Sequence, residues 1–288
     1  MARGPGTRSI ELTAAAKDIL EEIAPASLRA VCYRLFVVHL IKDMSHGSTS
    51  AVSRNLRDAR EKGVIPWEWI VDESREAETV ATWSNPNALI DAAVRSYRRN
   101  YWQDQPRRVE VWSEKGTVRG TVGPVLDEYG VTFRVMHGYA SATVVNDIAK
   151  MSASSDKPLT VLYVGDWDPS GLQMSEVDLP QRLEQYGAEQ LKLRRIALTR
   201  KDLKSIPSFD PETKVNDPRH QWFMKNVGTQ CYELDALPPP KLRSRVESEI
   251  RGLIDLELWD RAMMIERVEM DSMREFQQSW QAAKANLA

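Results

Sequence analysis

The chain has 288 residues, 42% of them hydrophobic and 28% charged, with a formal net charge of −2. That describes an ordinary globular protein of about two domains. Its two cysteines, Cys32 and Cys231, form no CxxC or Cys/His zinc pattern, which suits a reducing cytoplasm. The first residues lack an apolar core, so no signal peptide is expected. The longest apolar run, 35–41, contains His39 and is far too short to cross a bilayer, so a cytoplasmic protein without membrane association is expected.

In chain order, residues 11–23 read as an amphipathic helix stopped by Pro25. Ser27 is a good N-cap for a second helix, 28–42, whose apolar face is Leu28, Val31, Leu35 and Val38. Residues 43–49 read as a loop, and Ser50 can cap a third helix, 51–62, ended by Gly63. Residues 64–71 suggest a short extended element. Three helices and an extended ribbon describe a winged helix-turn-helix with the third helix as recognition helix; a generic helical bundle fits the same pattern. On the third helix Arg54, Arg57, Asp58 and Glu61 share one face, and Val52, Leu56 and Ala59 the other. Between 29 and 62, seven cationic residues (Arg29, Arg34, Lys42, Arg54, Arg57, Arg60, Lys62) face only Asp43, Asp58 and Glu61. Arg95, Arg98, Arg99, Arg107 and Arg108 form a later cluster. Such a stripe is compatible with double-stranded DNA as partner, and also with a merely solvated face.

A polar stretch from 73 and a helix at 88–97 lead to Gln103-Asp104-Gln105-Pro106, a join that divides the chain into domains 1–105 and 106–288. Residues 109–113 read as a strand with Glu114 at its C-terminal end, followed by a Lys115-Gly116 turn. A helix at 117–129, a strand at 132–136, a turn at His137-Gly138-Tyr139 and a helix from near Ser141 come next. The apolar run 161–164 then enters Gly165-Asp166-Trp167-Asp168-Pro169-Ser170-Gly171. Strand side chains alternate, so Asp166 and Asp168 are expected on one side of the strand end. Two carboxylates that close call for a cation, usually a divalent metal with oxygen ligands. Ligands of open α/β sheets bind beyond the carboxyl ends of the strands, where Glu114 could join them. The plainer alternatives are an Asp-Pro turn and a solvated strand-end glutamate. Further along, a helix at 179–186, a strand at 191–198, a long excursion at 204–219 and a strand at 231–237 stopped by Pro238-Pro239-Pro240 are expected, with helix from 241 to the end.

The order strand-Glu, helix, strand-Gly, helix, strand-Asp-x-Asp resembles the Toprim domain of topoisomerases, primases and some nucleases. On the second helix, Arg29 and Tyr33 stand four residues apart, off the Leu28-Val31-Leu35 stripe. A guanidinium beside a phenol suits attack on a phosphate, although a half-buried packing tyrosine is the plain alternative. The winged helix, Arg29-Ala30-Val31-Cys32-Tyr33 and the Toprim pattern together resemble the A subunit of topoisomerase VI and the meiotic double-strand-break transesterase. That family's motif is Arg-x-x-Tyr-Tyr, and Cys32 replaces its first tyrosine. Residues 233–237 are similar to the family's late acidic motif. The nearest resemblance is to compact, stand-alone Mini-A-type proteins of bacterial and phage genomes.

The resemblance implies an N-terminal winged-helix domain and a C-terminal Toprim domain with a mainly parallel, Rossmann-like sheet. It implies Tyr33 as nucleophile, Arg29 as its partner, and Mg²⁺ held by Asp166 and Asp168, with Glu114 either completing the metal site or acting as general acid. Arg34, Arg54, Arg57, Arg60, Lys62 and Lys115 are the expected DNA contacts. A homodimer is implied, with Tyr33 of one protomer meeting the metal cluster of the other. An ATPase B subunit is not expected, because little precedes the winged helix. Two other functions fit the same residues: a metal-dependent nuclease using water, and a non-enzymatic DNA-binding or DNA-bridging protein.

Overall fold

A computed structural model describes residues 7–71, 80–136, 142–209, 217 and 219–285. In chain order the elements are α1 (Thr7–Ile23), β1 (Ala26–Ser27), α2 (Leu28–Val37), α3 (His46–Glu61), β2 (Ile70–Val71), α4 (Pro86–Ser96), β3 (Arg108–Ser113), α5 (Val118–Tyr129), β4 (Thr132–Val135) and α6 (Ala142–Ala153). They continue with β5 (Leu159–Val164), α7 (Pro169–Gln173), α8 (Leu179–Gln185), β6 (Leu191–Ala197), α9 (His220–Asn226), α10 (Pro239–Arg251) and α11 (Leu256–Ala285). The chain forms two compact units interleaved in sequence: Met1–Ser74 with Val109–Gly252, and Arg75–Arg108 with Leu253–Ala288. Compactness therefore does not follow one boundary after residue 105, since the N-terminal helices and the sheet share the first unit.

In that unit α1, α2 and α3 bury one apolar cluster. Leu12, Ala16, Leu20 and Ile23, spaced for one helical face, pack with Val31 and Leu35 of α2 and with Val52, Leu56 and Ala59 of α3. Ser27 caps α2 as expected, its hydroxyl accepting the Ala30 N–H at 3.1 Å. Two boundaries differ from expectation. Helix α2 stops at Val37 rather than 42, because His39 takes a left-handed φ of 60° and the Leu40 and Ile41 N–H groups both turn back to the Leu35 carbonyl. Val38 consequently lies 53% exposed rather than on the apolar face. Helix α3 starts earlier than expected and is capped by Ser45, not Ser50. The Asp43 carboxylate gathers the Ser45 and Ser48 hydroxyls at 2.5 and 2.6 Å, so the serine-rich stretch is a cap rather than a loop. The extended element expected at 64–71 is a 3₁₀ turn at Trp67–Trp69 followed by β2, which pairs parallel with β1.

The sheet is parallel and four-stranded, ordered β4-β3-β5-β6, with helices between successive strands, a Rossmann-like arrangement. Central β5 carries Val161, Leu162, Tyr163 and Val164, all fully buried, as a strand covered on both faces requires. Gly130, at a left-handed φ of 60°, closes α5 and lets β4 begin two residues later. The strand expected at 231–237 is not one. Cys231 and Tyr232 make single bridges to Phe209 and Trp167, and Leu234–Ala236 is a 3₁₀ turn whose leading N–H goes to a side chain instead of a ladder. The turn expected at 137–139 and the helix start near Ser141 lie outside the described residues, as do 72–79 of the polar stretch, 210–216 and 218 of the excursion, and 286–288.

A buried ion pair braces this unit. Asp202 accepts two hydrogen bonds from Arg245, at 2.5 and 2.7 Å, and the Thr199 N–H and hydroxyl. Burial pushes its pKa up, but these donors outweigh burial and hold it down to about 2. The pair's contribution is therefore fully present above the ordinary carboxylate value and is lost as pH falls through about 2. Arg245→Met should lower unfolding free energy by about 3 kcal/mol near neutral pH, with a smaller difference from the parent below pH 3, measured by urea denaturation across pH.

The second unit is built by α4 and α11. Asn85 caps α4 through the Ala88 N–H. Tyr97 and Arg99 both donate to Glu269, and Tyr101 and Trp102 set their rings edge-on to Trp259. Buried Gln105 exchanges hydrogen bonds with the Asp255 backbone. Among the described residues, no helix is long and apolar enough to cross a membrane.

Candidate functional site

Strand order reverses between β3 and β5, since the chain goes from β3 out to β4 and returns to the other side of β3. The crevice beyond the carboxyl ends of such a pair is where α/β sheets bind ligands. Two segments end there: Glu114 and Lys115 directly follow β3, and Gly165 to Asp168 directly follow β5.

The loop after β5 is tightly determined. A Cβ on Gly165 would stand 2.8 Å from the Tyr163 ring, and one on Gly171 would stand 2.7 Å from the Asp166 carbonyl oxygen. Only glycine fits either position. Arg195 of β6 donates to the carbonyls of Gly165, Asp166 and Gly171 at 2.9, 3.1 and 2.7 Å, and lies over the Tyr163 ring. It was not among the expected site residues. One arginine in an alternating strand carries no local sign that it organises a loop thirty residues earlier.

The two aspartates sit in this loop, past the end of β5, rather than on the strand itself. Asp168 is 4% exposed and caps α7, accepting the Gly171 N–H at 2.7 Å. Asp166 is 8% exposed and accepts the Leu234 N–H at 2.8 Å. Lys115 reaches across from the β3 end. Its ammonium lies 2.8 and 3.1 Å from the two oxygens of Asp166 and 3.3 Å from Asp235. Burial pulls its pKa down, but Asp166 and Asp235 outweigh burial and hold it well above the ordinary lysine range. The Ser27 hydroxyl, already the cap of α2, donates to the other oxygen of Asp235.

Arg29 makes a two-pronged hydrogen-bonded pair with Glu233. Its guanidinium stands over the Tyr33 ring, 5.9 Å from the centroid. Tyr33, off the Leu28-Val31-Leu35 stripe, is nevertheless only 5% exposed, because its side of α2 lies against Glu233 and Asp235. Burial first, then the Glu233 charge, raises the phenol's pKa above its ordinary value, against the pull of Arg29. Burial likewise pushes the neighbouring Cys32 thiol up to about 11. The polar groups thus form two chains, Tyr33 and Arg29 to Glu233, and Ser27 to Asp235 to Lys115 to Asp166, which start from the same turn at 233–235.

Glu114, Asp166 and Asp168 share one neighbour. The Tyr163 hydroxyl is fully buried and has no hydrogen-bond partner among the described residues. Burial raises its pKa, and all three carboxylates add to the rise, while Arg195 opposes it. Among the described residues no group of three or more His, Cys, Asp or Glu side chains is placed to hold a metal ion together, although Glu114, Asp166 and Asp168 were expected to converge on one. The donor set still suits a hard, oxygen-preferring cation, and the buried orphan hydroxyl amid the acids is the kind of group a hydrated cation would engage.

The expected DNA contacts are spread differently. Arg54 and Arg57 are exposed on α3 and Lys62 at its C-cap, although Arg57 is paired with Asp58 and Glu61. Arg60 is tied to the Trp67 carbonyl and stacks on its ring at 4.3 Å. Arg34 is half-buried on α2, and Lys115 belongs to the acidic site. No protein-family model matches the chain, and no curated protein matches it.

Proposed function

We propose that the protein is a DNA-binding tyrosine transesterase of the topoisomerase VI A type, with a winged helix formed by the N-terminal helices and a Toprim domain built on the four-stranded sheet, cutting double-stranded DNA as a Mg²⁺-dependent homodimer. The observation that carries this reading is the placement, in one compact unit, of the Tyr33–Arg29–Glu233 group beside the Asp235–Lys115–Asp166 group, the two joined by the short backbone turn from Glu233 to Asp235. An arginine–tyrosine pair and a strand-end acidic cluster meet on that one turn, which a merely packed tyrosine does not require.

In this reading the Tyr33 oxygen bonds to a backbone phosphorus, the bond from phosphorus to the 3′-oxygen breaks, and a 5′-phosphotyrosyl link and a free 3′-hydroxyl result. Arg29 leaves Glu233 to pair with the phosphate oxygens and stabilise the crowded phosphorus. Glu114 protonates the departing 3′-oxygen and takes the proton back on resealing, while the Tyr33 proton passes to solvent. Asp166 and Asp168 would hold Mg²⁺, which supplies positive charge against the phosphate, and Glu114 would complete that site only if it is not the proton donor. The exposed cations of α3 and its C-cap, Arg54, Arg57 and Lys62, would follow the DNA backbone.

The test is to incubate the protein with supercoiled DNA and Mg²⁺ or Mn²⁺, denature, and measure DNA bound covalently to protein. The parent should trap DNA and Tyr33→Phe should trap at least a hundredfold less; equal trapping removes Tyr33 as nucleophile. The burial of Tyr33 and the neutralisation of Arg29 by Glu233 favour a second reading, a DNA-binding or DNA-bridging protein without cleavage. That reading predicts retained DNA and no breaks with either metal. Breaks without attached protein, lost in Asp166→Ala but not in Tyr33→Phe, would instead mark a metal-dependent nuclease.

A further inference from the structure

We propose that the Lys115 ammonium is a built-in, displaceable counter-cation of the acidic site, which neutralises Asp166 when no divalent cation is bound and must swing away when one binds, so that it sets the protein's affinity for metal. The proposal rests on the metal-binding part of the reading above and on no step of the DNA chemistry.

Three features carry it. First, Lys115 spans both oxygens of Asp166, at 2.8 and 3.1 Å, so it holds the edge of the carboxylate that an incoming cation needs. Magnesium ligands stand about 2 Å from the ion, so ammonium and ion cannot use that edge together, and their like charges repel. Second, Lys115 can leave. Its side chain is a flexible stem, 31% exposed, and it also pairs with Asp235, which offers a hold away from Asp166. Asp166 would keep its aim after the departure, because the Leu234 N–H holds one oxygen independently of Lys115. Third, the buried Tyr163 hydroxyl points independently to a ligand. Its oxygen stands beside Gly165, 3.2 Å from where a Cβ there would be, at the start of the loop that carries Asp166 and Asp168, and it has no hydrogen-bond partner among the described residues.

The experiment measures Mn²⁺ binding to the full chain without DNA, by calorimetry and by electron paramagnetic resonance, for the parent and Lys115→Met. The variant should bind Mn²⁺ about tenfold more tightly or better. Should the variant fail to fold, labelling of the parent serves: amine-reactive modification of Lys115, read by mass spectrometry, should accelerate several-fold on adding Mn²⁺. Unchanged or weaker Mn²⁺ binding by Lys115→Met, or labelling that Mn²⁺ does not speed, overturns the proposal while leaving metal binding standing. Absence of Mn²⁺ binding in both proteins overturns it together with the metal reading.

Discussion

Replacing Asp166 by alanine is expected to lower the unfolding free energy by about 3–5 kcal/mol, the usual cost of stripping one partner from a buried ion pair. The change would leave the Leu234 N–H buried without its acceptor and the Lys115 ammonium with Asp235 alone. Asp166→Asn separates the two effects. Its amide oxygen can still accept from Leu234, so the backbone hydrogen bond survives and only the charge is lost, and about half the destabilisation should return. Urea unfolding of the parent and both variants measures the difference. A loss below about 1 kcal/mol in Asp166→Ala would mean that Asp166 is not the buried hub linking the two strand ends. Both variants should also lose covalent DNA trapping, since neither keeps a carboxylate there.

Gly171→Ala is the second large effect. Alanine is the better helix former by about 1 kcal/mol, and α7 would gain that much if the site had room. It has none: the new Cβ would meet the Asp166 carbonyl oxygen at 2.7 Å and the Asp168 carboxylate at 3.2 Å. The carbonyl is backbone and is pinned by Arg195, so it cannot rotate aside as a side-chain end could. A net loss of about 2–4 kcal/mol is expected, with the loop displaced and Mn²⁺ binding weakened. Gly187→Ala is the control. Its Cβ would meet nothing within 4 Å, and only the left-handed φ of 78° is penalised, by about 1 kcal/mol. Thermal denaturation of the two variants distinguishes steric exclusion from backbone preference; equal losses would contradict the close approach at Gly171.

Much of this architecture is written in local pattern. The strands near 109–113, 132–136, 161–164 and 191–198 and the helix at 117–129 occur where periodicity and glycine punctuation put them. The cap at Ser27 and the stops at Gly63 and Gly130 follow from side-chain oxygens and left-handed glycines acting within a few residues. Errors arose where the deciding contact was only slightly less local. The competition between Ser45 and Ser50 to cap α3 was decided by Asp43, and the end of α2 by a left-handed His39 that no propensity favours strongly.

The chemistry divides the same way. That Glu114, Asp166 and Asp168 stand at strand ends is a property of sequence spacing, because a buried apolar run ending at a turn delivers its next side chains to the sheet edge. Tertiary structure alone decided who faces them. Lys115 reached Asp166 and Asp235 across 51 and 120 residues, Arg29 met Glu233 across 204, and Tyr33 was buried although it lies off the apolar stripe of its own helix. Hydrophobic periodicity records whether a residue is covered by apolar neighbours. It carries no term for which distant charge will neutralise it, since that pairing depends on how separate elements dock and on the cost of burying any charge alone.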